Sequence, residues 1–291
     1  MEYKISFGKY SATVLSKGAE LVSFTDGEKE YIWTGDEKYW SGHNPNLFPL
    51  IGRLKNGKVL FGGKDYFPGK HGFARGMEFS PVSRTESELT LAITQTEETR
   101  AVYPFDFVFE VTHRVFEGGF ETVYTVKNTG GTVLYYTVGG HPGINLPALG
   151  ADCVEGCRLV FEQAECPTIW YGDENVLIRD DYVRTDILRN TDTLLLTQEM
   201  FEGDALMMGG LKSNKVRLVS PTGAAVEMDY SGYPVMAFWT PPGKTAPFMC
   251  LEPWHGLPAN AFESGEFSER AFCISLDPGA AKSLAYSVKV L

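Results

Sequence analysis

Side chains on a β-strand point to opposite faces in turn, so a chain whose apolar residues recur at every second position buries them in sheets. This sequence keeps that period through most of its length. Within residues 88–96, Leu89, Leu91 and Ile93 alternate with Thr90, Ala92 and Thr94. Phe107, Phe109, Val111 and Val115 share one face of the next run, Glu117-Gly118-Gly119 turns the chain, and Thr122, Tyr124 and Val126 resume the alternation. Val216 to Leu218 and Val226 to Met228, joined by Ser220-Pro221-Thr222-Gly223, read as a hairpin, and Leu284, Tyr286, Val288 and Val290 close the chain as a last strand. The 31 glycines and 16 prolines punctuate these runs. Many short strands with such turns predict an all-β sandwich or barrel with a few short helices. The best helical candidate is 190–208, where Leu194-Leu195-Leu196 precedes Gln198-Glu199-Met200-Phe201; one or two short turns are expected there. With no repeat, low-complexity tract or Ser-rich linker, 1–291 reads as one domain.

Composition removes several classes of function. The formal net charge of −11 argues against nucleic acid or an anionic membrane as partner, since both need a basic footprint. No apolar run approaches the roughly 18 residues of a membrane helix. The charged start, with Glu2 and Lys4, does not read as a secretory signal. Five thinly spread cysteines suggest reduced thiols, and the expectation is a cytoplasmic protein. Gly243-Lys244-Thr245 resembles the end of a phosphate loop, but Phe238 stands where that loop needs its first glycine. Cys153, Cys157 and Cys166 lack the paired spacing or nearby histidine of a tetrahedral metal set. No motif for a nucleotide, flavin or metal is present, so the expected cofactor is none.

Four segments gather polar residues beside Gly or Pro, where strands end and sites commonly sit. They are Asn44-Pro45-Asn46-Leu47-Phe48-Pro49-Leu50-Ile51-Gly52-Arg53, His71-Gly72-Phe73-Ala74-Arg75, Gly139-Gly140-His141-Pro142-Gly143-Ile144-Asn145-Leu146 and Cys250-Leu251-Glu252-Pro253-Trp254-His255-Gly256. In this order they resemble the aldose 1-epimerase, or galactose mutarotase-like, family in its LacX-like branch. The resemblance implies a large antiparallel β-sandwich (the galactose mutarotase-like supersandwich) with a sugar cleft on a concave sheet. It also implies an activity: interconversion of the α and β anomers of a free hexose, with no cofactor.

That reaction opens the ring. A base takes the proton of the C1 hydroxyl, an acid protonates the ring oxygen, and the open aldehyde turns and recloses. Glu252 resembles the family's base; at the reference carboxylate pKa of about 4.3 it would be ionised at neutral pH. His141 resembles the acid, and a reference pKa of about 6.5 lets it give and regain a proton. A strand-end ion pair for Glu252 and a turn cap for His141 are the structural alternatives. The convergence of these two residues rests on the resemblance alone. His71 and Arg53 resemble the family's sugar contacts, or else make structural hydrogen bonds. Asp204 resembles the family's substrate-binding aspartate over a short local match, with Glu202 as rival and a solvated loop carboxylate as the alternative.

Trp239 is a candidate wall for the apolar face of a sugar, while Trp254 fits wall or core equally well. His113 shares a face with Phe107 and Phe109 and reads as a core histidine. His43 and His255 are either cleft or loop residues. Arg75, together with Arg53, Lys55 and Lys70, offers a phosphate clamp, which leaves a hexose-6-phosphate mutarotase as the rival enzyme. A sugar-binding or regulatory protein without turnover is the rival from another class. The expected partner is a small sugar, and the expected assembly a monomer or homodimer.

Overall fold

The computed structural model describes residues 1–172 and 187–291 in full, and between them the backbone of the strand Ile178–Arg184. Among these residues the chain forms two large antiparallel sheets. The nine-stranded sheet runs, edge to edge, through Thr191–Leu195, Arg158–Glu165, Lys215–Val219, Ala225–Asp229, Ala281–Val290, Gly119–Asn128, Phe107–Phe116, Glu88–Thr94 and Ser80–Arg84. The seven-stranded sheet runs through Val138–Gly139, Phe248–His255, Val235–Trp239, Leu206–Gly209, Thr168–Gly172 and Ile178–Arg184. Its seventh strand, Gly143–Asn145, also pairs with Phe248–His255. Glu2–Phe7, Tyr10–Leu15 and Leu21–Thr25 form a separate three-stranded sheet.

The period-two runs fall where the sequence places them. Val216 pairs with Met228 and Leu218 with Val226, so the expected hairpin buries all four on one face. Leu89, Phe109, Val111 and Tyr124 from the larger sheet share one buried cluster with Leu206, Met208, Met249 and Leu251 from the smaller. Each such side chain contributes about 1.5–3 kcal/mol by leaving water. The smaller sheet alternates too: Met249 and Leu251 enter this core, while Cys250 and Trp254 pack in separate clusters on the opposite face. That opposite face carries Glu252.

The 190–208 candidate is mostly strand. Thr191–Leu195 and Leu206–Gly209 flank a single 3₁₀ turn, Gln198–Phe201. Leu194 and Leu196 are buried and Leu195 is 57% exposed, so the leucine run alternates with period two and does not form a helical stripe. The α-helix of the described residues is Glu97–Val102, begun by a reciprocal cap between Thr96 and Thr99. No helix among the described residues is long and apolar enough to cross a membrane.

His113 is the core histidine that its face implies. It is fully buried, with Nδ1 3.0 Å from Thr122 Oγ1 and Nε2 2.8 Å from the Ala19 carbonyl. The carbonyl only accepts, so Nε2 carries the proton and Nδ1 accepts from the Thr122 hydroxyl. Burial pushes its pKa down to about 4. The unfolded chain, with an ordinary histidine pKa of about 6.5, binds this proton first on acidification. Stability is therefore lost as pH falls from 6.5 toward 4, by about 2 kcal/mol between pH 7 and 5 from His113 alone. Urea unfolding of wild type and His113→Gln at both pH values checks this. The variant should lose less on acidification, and equal losses would refute the assignment.

Candidate active site

Two short pairings along the strand Phe248–His255 build the candidate site. Gly139 pairs with Trp254 and Gly143 with Cys250, in one continuous register. That register sets residue 141 level with residue 252. The main chain holds it there: the Gly140 N–H donates to the Pro253 carbonyl at 3.1 Å and the Leu251 N–H to the Pro142 carbonyl at 3.1 Å. The side chains meet, with His141 Nε2 3.2 Å from Glu252 Oε2. The contact is not aligned as a hydrogen bond, and both Glu252 Oε2 and His141 Nδ1 are buried without a hydrogen-bond partner. Both residues line a cleft, where the hydroxyls of a ligand could pair with these atoms.

Burial moves both groups toward their uncharged forms. Glu252, 1% exposed, is raised well above the usual carboxylate range by desolvation and then by Asp204, with Lys70 opposing. His141 is lowered to about 3, by desolvation first and further by Lys70 and Arg75. Both shifts run away from the reference values and favour a protonated carboxyl beside a neutral imidazole. An ionised carboxylate beside an imidazolium holds the same single proton. The imidazole is fixed in orientation, stacked on Trp40 at 4.9 Å and meeting the edge of Trp239 at 5.7 Å.

The pair sits in a cleft of about 540 Å³, within the range of small-molecule pockets. His71 lines it, held twice by Gly52: its N–H donates to the Gly52 carbonyl at 2.9 Å, and its Nδ1 accepts the Gly52 N–H at 3.1 Å. Nδ1 is thus the acceptor, which leaves Nε2–H as the ring's free donor. Burial and the nearby Lys70 keep this ring neutral, well below the usual histidine range. Gly72 is obligatory beside it. Its φ is +70°, and a Cβ there would lie 2.2 Å from the Phe48 carbonyl oxygen.

Asp204 lines the cleft at a φ of +77°, half-buried, while its rival Glu202 is exposed and off the lining. Trp239 and Trp254 both line the cleft; Trp254 is also part of an apolar cluster with Leu47, Ile51 and Met207 on that face of the sheet. Arg75 lines it too, its guanidinium donating to the Lys70 carbonyl at 3.0 Å. Arg53 is exposed and is not on the lining, though its charge acts on Lys70 and His71. His43 lines the cleft beside Glu20, at 3.7 Å, whereas His255 turns away and bonds the Phe272 carbonyl through Nδ1 at 2.9 Å. Asn44 and Asn46 are structural: Asn44 accepts from Tyr286, and Asn46 bridges the Gly18 and Ala19 carbonyls to the Tyr124 hydroxyl.

Sequence reasoning missed Trp40, Lys17 and Glu20, all on the lining. Trp40 lies four residues before the 44–53 segment, in an aromatic Tyr39-Trp40 pair that offered a signal. Lys17 and Glu20 stand in an unremarkable early turn, and nothing local marks them.

The comparisons with known proteins agree with this fold. Over 283 residues the chain is 29% identical to LacX, chromosomal, of Lactococcus lactis subsp. lactis, covering 94% of each chain. The structure superposes on a galactose mutarotase related enzyme from Lactobacillus acidophilus with a TM-score of 0.93 at 28% identity, over 100% of this chain and 97% of that one. It superposes on a galactose mutarotase-like protein from Lactobacillus casei with a TM-score of 0.90 at 30% identity, over the full length of both. The sequence profile of the aldose 1-epimerase family matches residues 1–289, and the chain belongs to that family.

Proposed function

We propose that this protein is a cofactor-independent mutarotase, in which Glu252 is the base and His141 the acid for ring opening of a hexose. The observation that carries the reading is the buried 3.2 Å contact between His141 Nε2 and Glu252 Oε2 in a small-molecule cleft. The C1 hydroxyl oxygen and the ring oxygen are bonded to the same carbon, so the groups serving them must converge. The uncharged pair holds one proton. Its passage from Glu252 to His141 creates a base and an acid together without changing net charge. Glu252 then removes the C1 hydroxyl proton while His141 protonates the ring oxygen, and the roles reverse as the aldehyde recloses on its other face. His71 Nε2–H and Asp204 supply a donor and an acceptor for the sugar's hydroxyls, and Trp239 a surface for its C–H face. Polarimetry of freshly dissolved α-D-glucose and α-D-galactose tests the reading. No acceleration of either by folded protein would favour a sugar-binding role without turnover.

One observation favours a phosphorylated substrate. Lys17, Lys70 and Arg75 all line the cleft, and none lies within ion-pair distance of a carboxylate among the described residues. Unpaired cations at a cleft in a chain of net charge −11 suit a phosphate bound by charge-assisted hydrogen bonds. If the substrate carries a 6-phosphate, Arg75→Ala should raise KM for glucose 6-phosphate about tenfold or more beyond its effect on glucose. NMR exchange between anomers measures both. Equal changes for the two sugars would remove the phosphate reading.

A further inference from the structure

The mutarotase reaction leaves one buried nucleophile beside its centre unused. Cys250 is fully buried, two residues before Glu252 on the same strand and therefore on the same face. Its sulfur, an imidazole nitrogen of His141 and a carboxylate oxygen of Glu252 all lie within 4.8 Å of one another. A thiol, an imidazole and a carboxylate are the three ligand types that zinc accepts together. The edge of a tetrahedron built on bonds of about 2.0–2.3 Å is about 3.3–3.8 Å. The His141–Glu252 edge already stands at 3.2 Å and no edge of the set exceeds 4.8 Å, so closure needs a shift of at most about 1.5 Å by the thiol. Glu252 Oε2 has no hydrogen bond to give up on binding a cation.

We propose that His141, Cys250 and Glu252 form a three-ligand site for a thiophilic divalent cation such as Zn²⁺, and that its occupancy switches the catalytic pair off. His141 and Glu252 line the cleft, which gives a cation a path to the site. Binding forms a metal–sulfur, a metal–nitrogen and a metal–oxygen bond. The thiol proton and the single proton of the His141–Glu252 pair leave to solvent, so one dication replaces two protons. With both groups coordinated, neither base nor acid remains for the sugar. The metal-binding claim stands on the placement of three side chains and does not need the mutarotase reading; the inhibition does.

The test uses the full chain with Co²⁺ as a spectroscopic probe and Zn²⁺ as the inhibitor. Wild type should bind one Co²⁺ with a near-ultraviolet thiolate charge-transfer band, which Cys250→Ala and Cys250→Ser abolish. Zn²⁺ should inhibit mutarotation by the wild type. Its inhibition constant, read against each variant's own metal-free rate, should rise about tenfold or more in both variants. The other thiols, including the exposed Cys166, remain in both variants and serve as the internal background. Absence of the band in wild type, its persistence in the variants, or equal Zn²⁺ sensitivity of all three proteins would overturn the site. The cobalt band is read without turnover, so a protein inactive on every sugar still decides the metal claim.

Discussion

Glu252→Gln is expected to lower kcat/KM for mutarotation by about 10²–10⁴-fold, and His141→Asn by a similar factor, with both chains folded. The amide of Gln matches the carboxylate in shape but neither takes nor gives a proton. Asn keeps a donor near the imidazole's place and likewise cannot titrate. The two effects should not add. In the proposed mechanism one proton passes between the two groups, 3.2 Å apart, so removing either partner disables both, and the double variant should fall little below the single ones. Polarimetry on α-D-glucose and α-D-galactose, corrected for spontaneous mutarotation, gives all three rates. Glu252→Gln retaining more than about a tenth of wild-type activity would remove Glu252 from the base role. Additive losses would mean that the two residues act on separate steps.

The fold was legible because alternation is a local signal. Leu89-x-Leu91-x-Ile93 can be read in any window, and the structure buries those three side chains together. That signal fails at 190–208: Leu194-Leu195-Leu196 carries no alternation in sequence, and only the fold exposes Leu195 between buried Leu194 and Leu196, leaving the expected short turns as the single one at Gln198–Phe201. Gly- and Pro-bounded segments together with the family resemblance pointed to Glu252, His141, His71 and Asp204, and all four line the same cleft. Electrostatic state was not legible. A carboxyl or imidazole has its reference pKa until the fold removes its water, and no local pattern near Glu252 announces that it is 1% exposed. Lys17, Glu20 and Trp40 reach the cleft through tertiary contacts. Glu20 does so by accepting the His43 and Asn44 N–H groups across more than twenty residues of chain. Arg53 shows the converse: a motif fixes its place in sequence but not whether its long side chain lies in the cleft or at its edge.

The residue with the largest expected effect on stability is Phe48. Its ring stacks on Phe109 at 4.3 Å and touches Phe107 at 5.2 Å, Tyr136 at 5.9 Å, Tyr103 at 6.0 Å and Phe73 at 6.2 Å. Its carbonyl accepts the N–H groups of Phe73 and Ala74, both at 3.1 Å, and is the atom that makes Gly72 obligatory. One residue thus ties the 44–53 segment to the larger sheet through its ring and to the His71 loop through its backbone. Phe48→Ala should cost about 3–5 kcal/mol in urea unfolding at pH 7, from lost transfer free energy and the cavity left among five rings. Phe48→Leu, which fills most of that volume, should cost less. The carbonyl survives in both variants, but the ring that holds the segment in register does not. Gly52, which fixes His71 by two hydrogen bonds, lies only four residues on. Activity per folded molecule should therefore fall in Phe48→Ala along with stability, while Phe48→Leu keeps most of it. A loss below about 1 kcal/mol would show that the surrounding rings close over the hole, and that the segment is held by its hydrogen bonds alone.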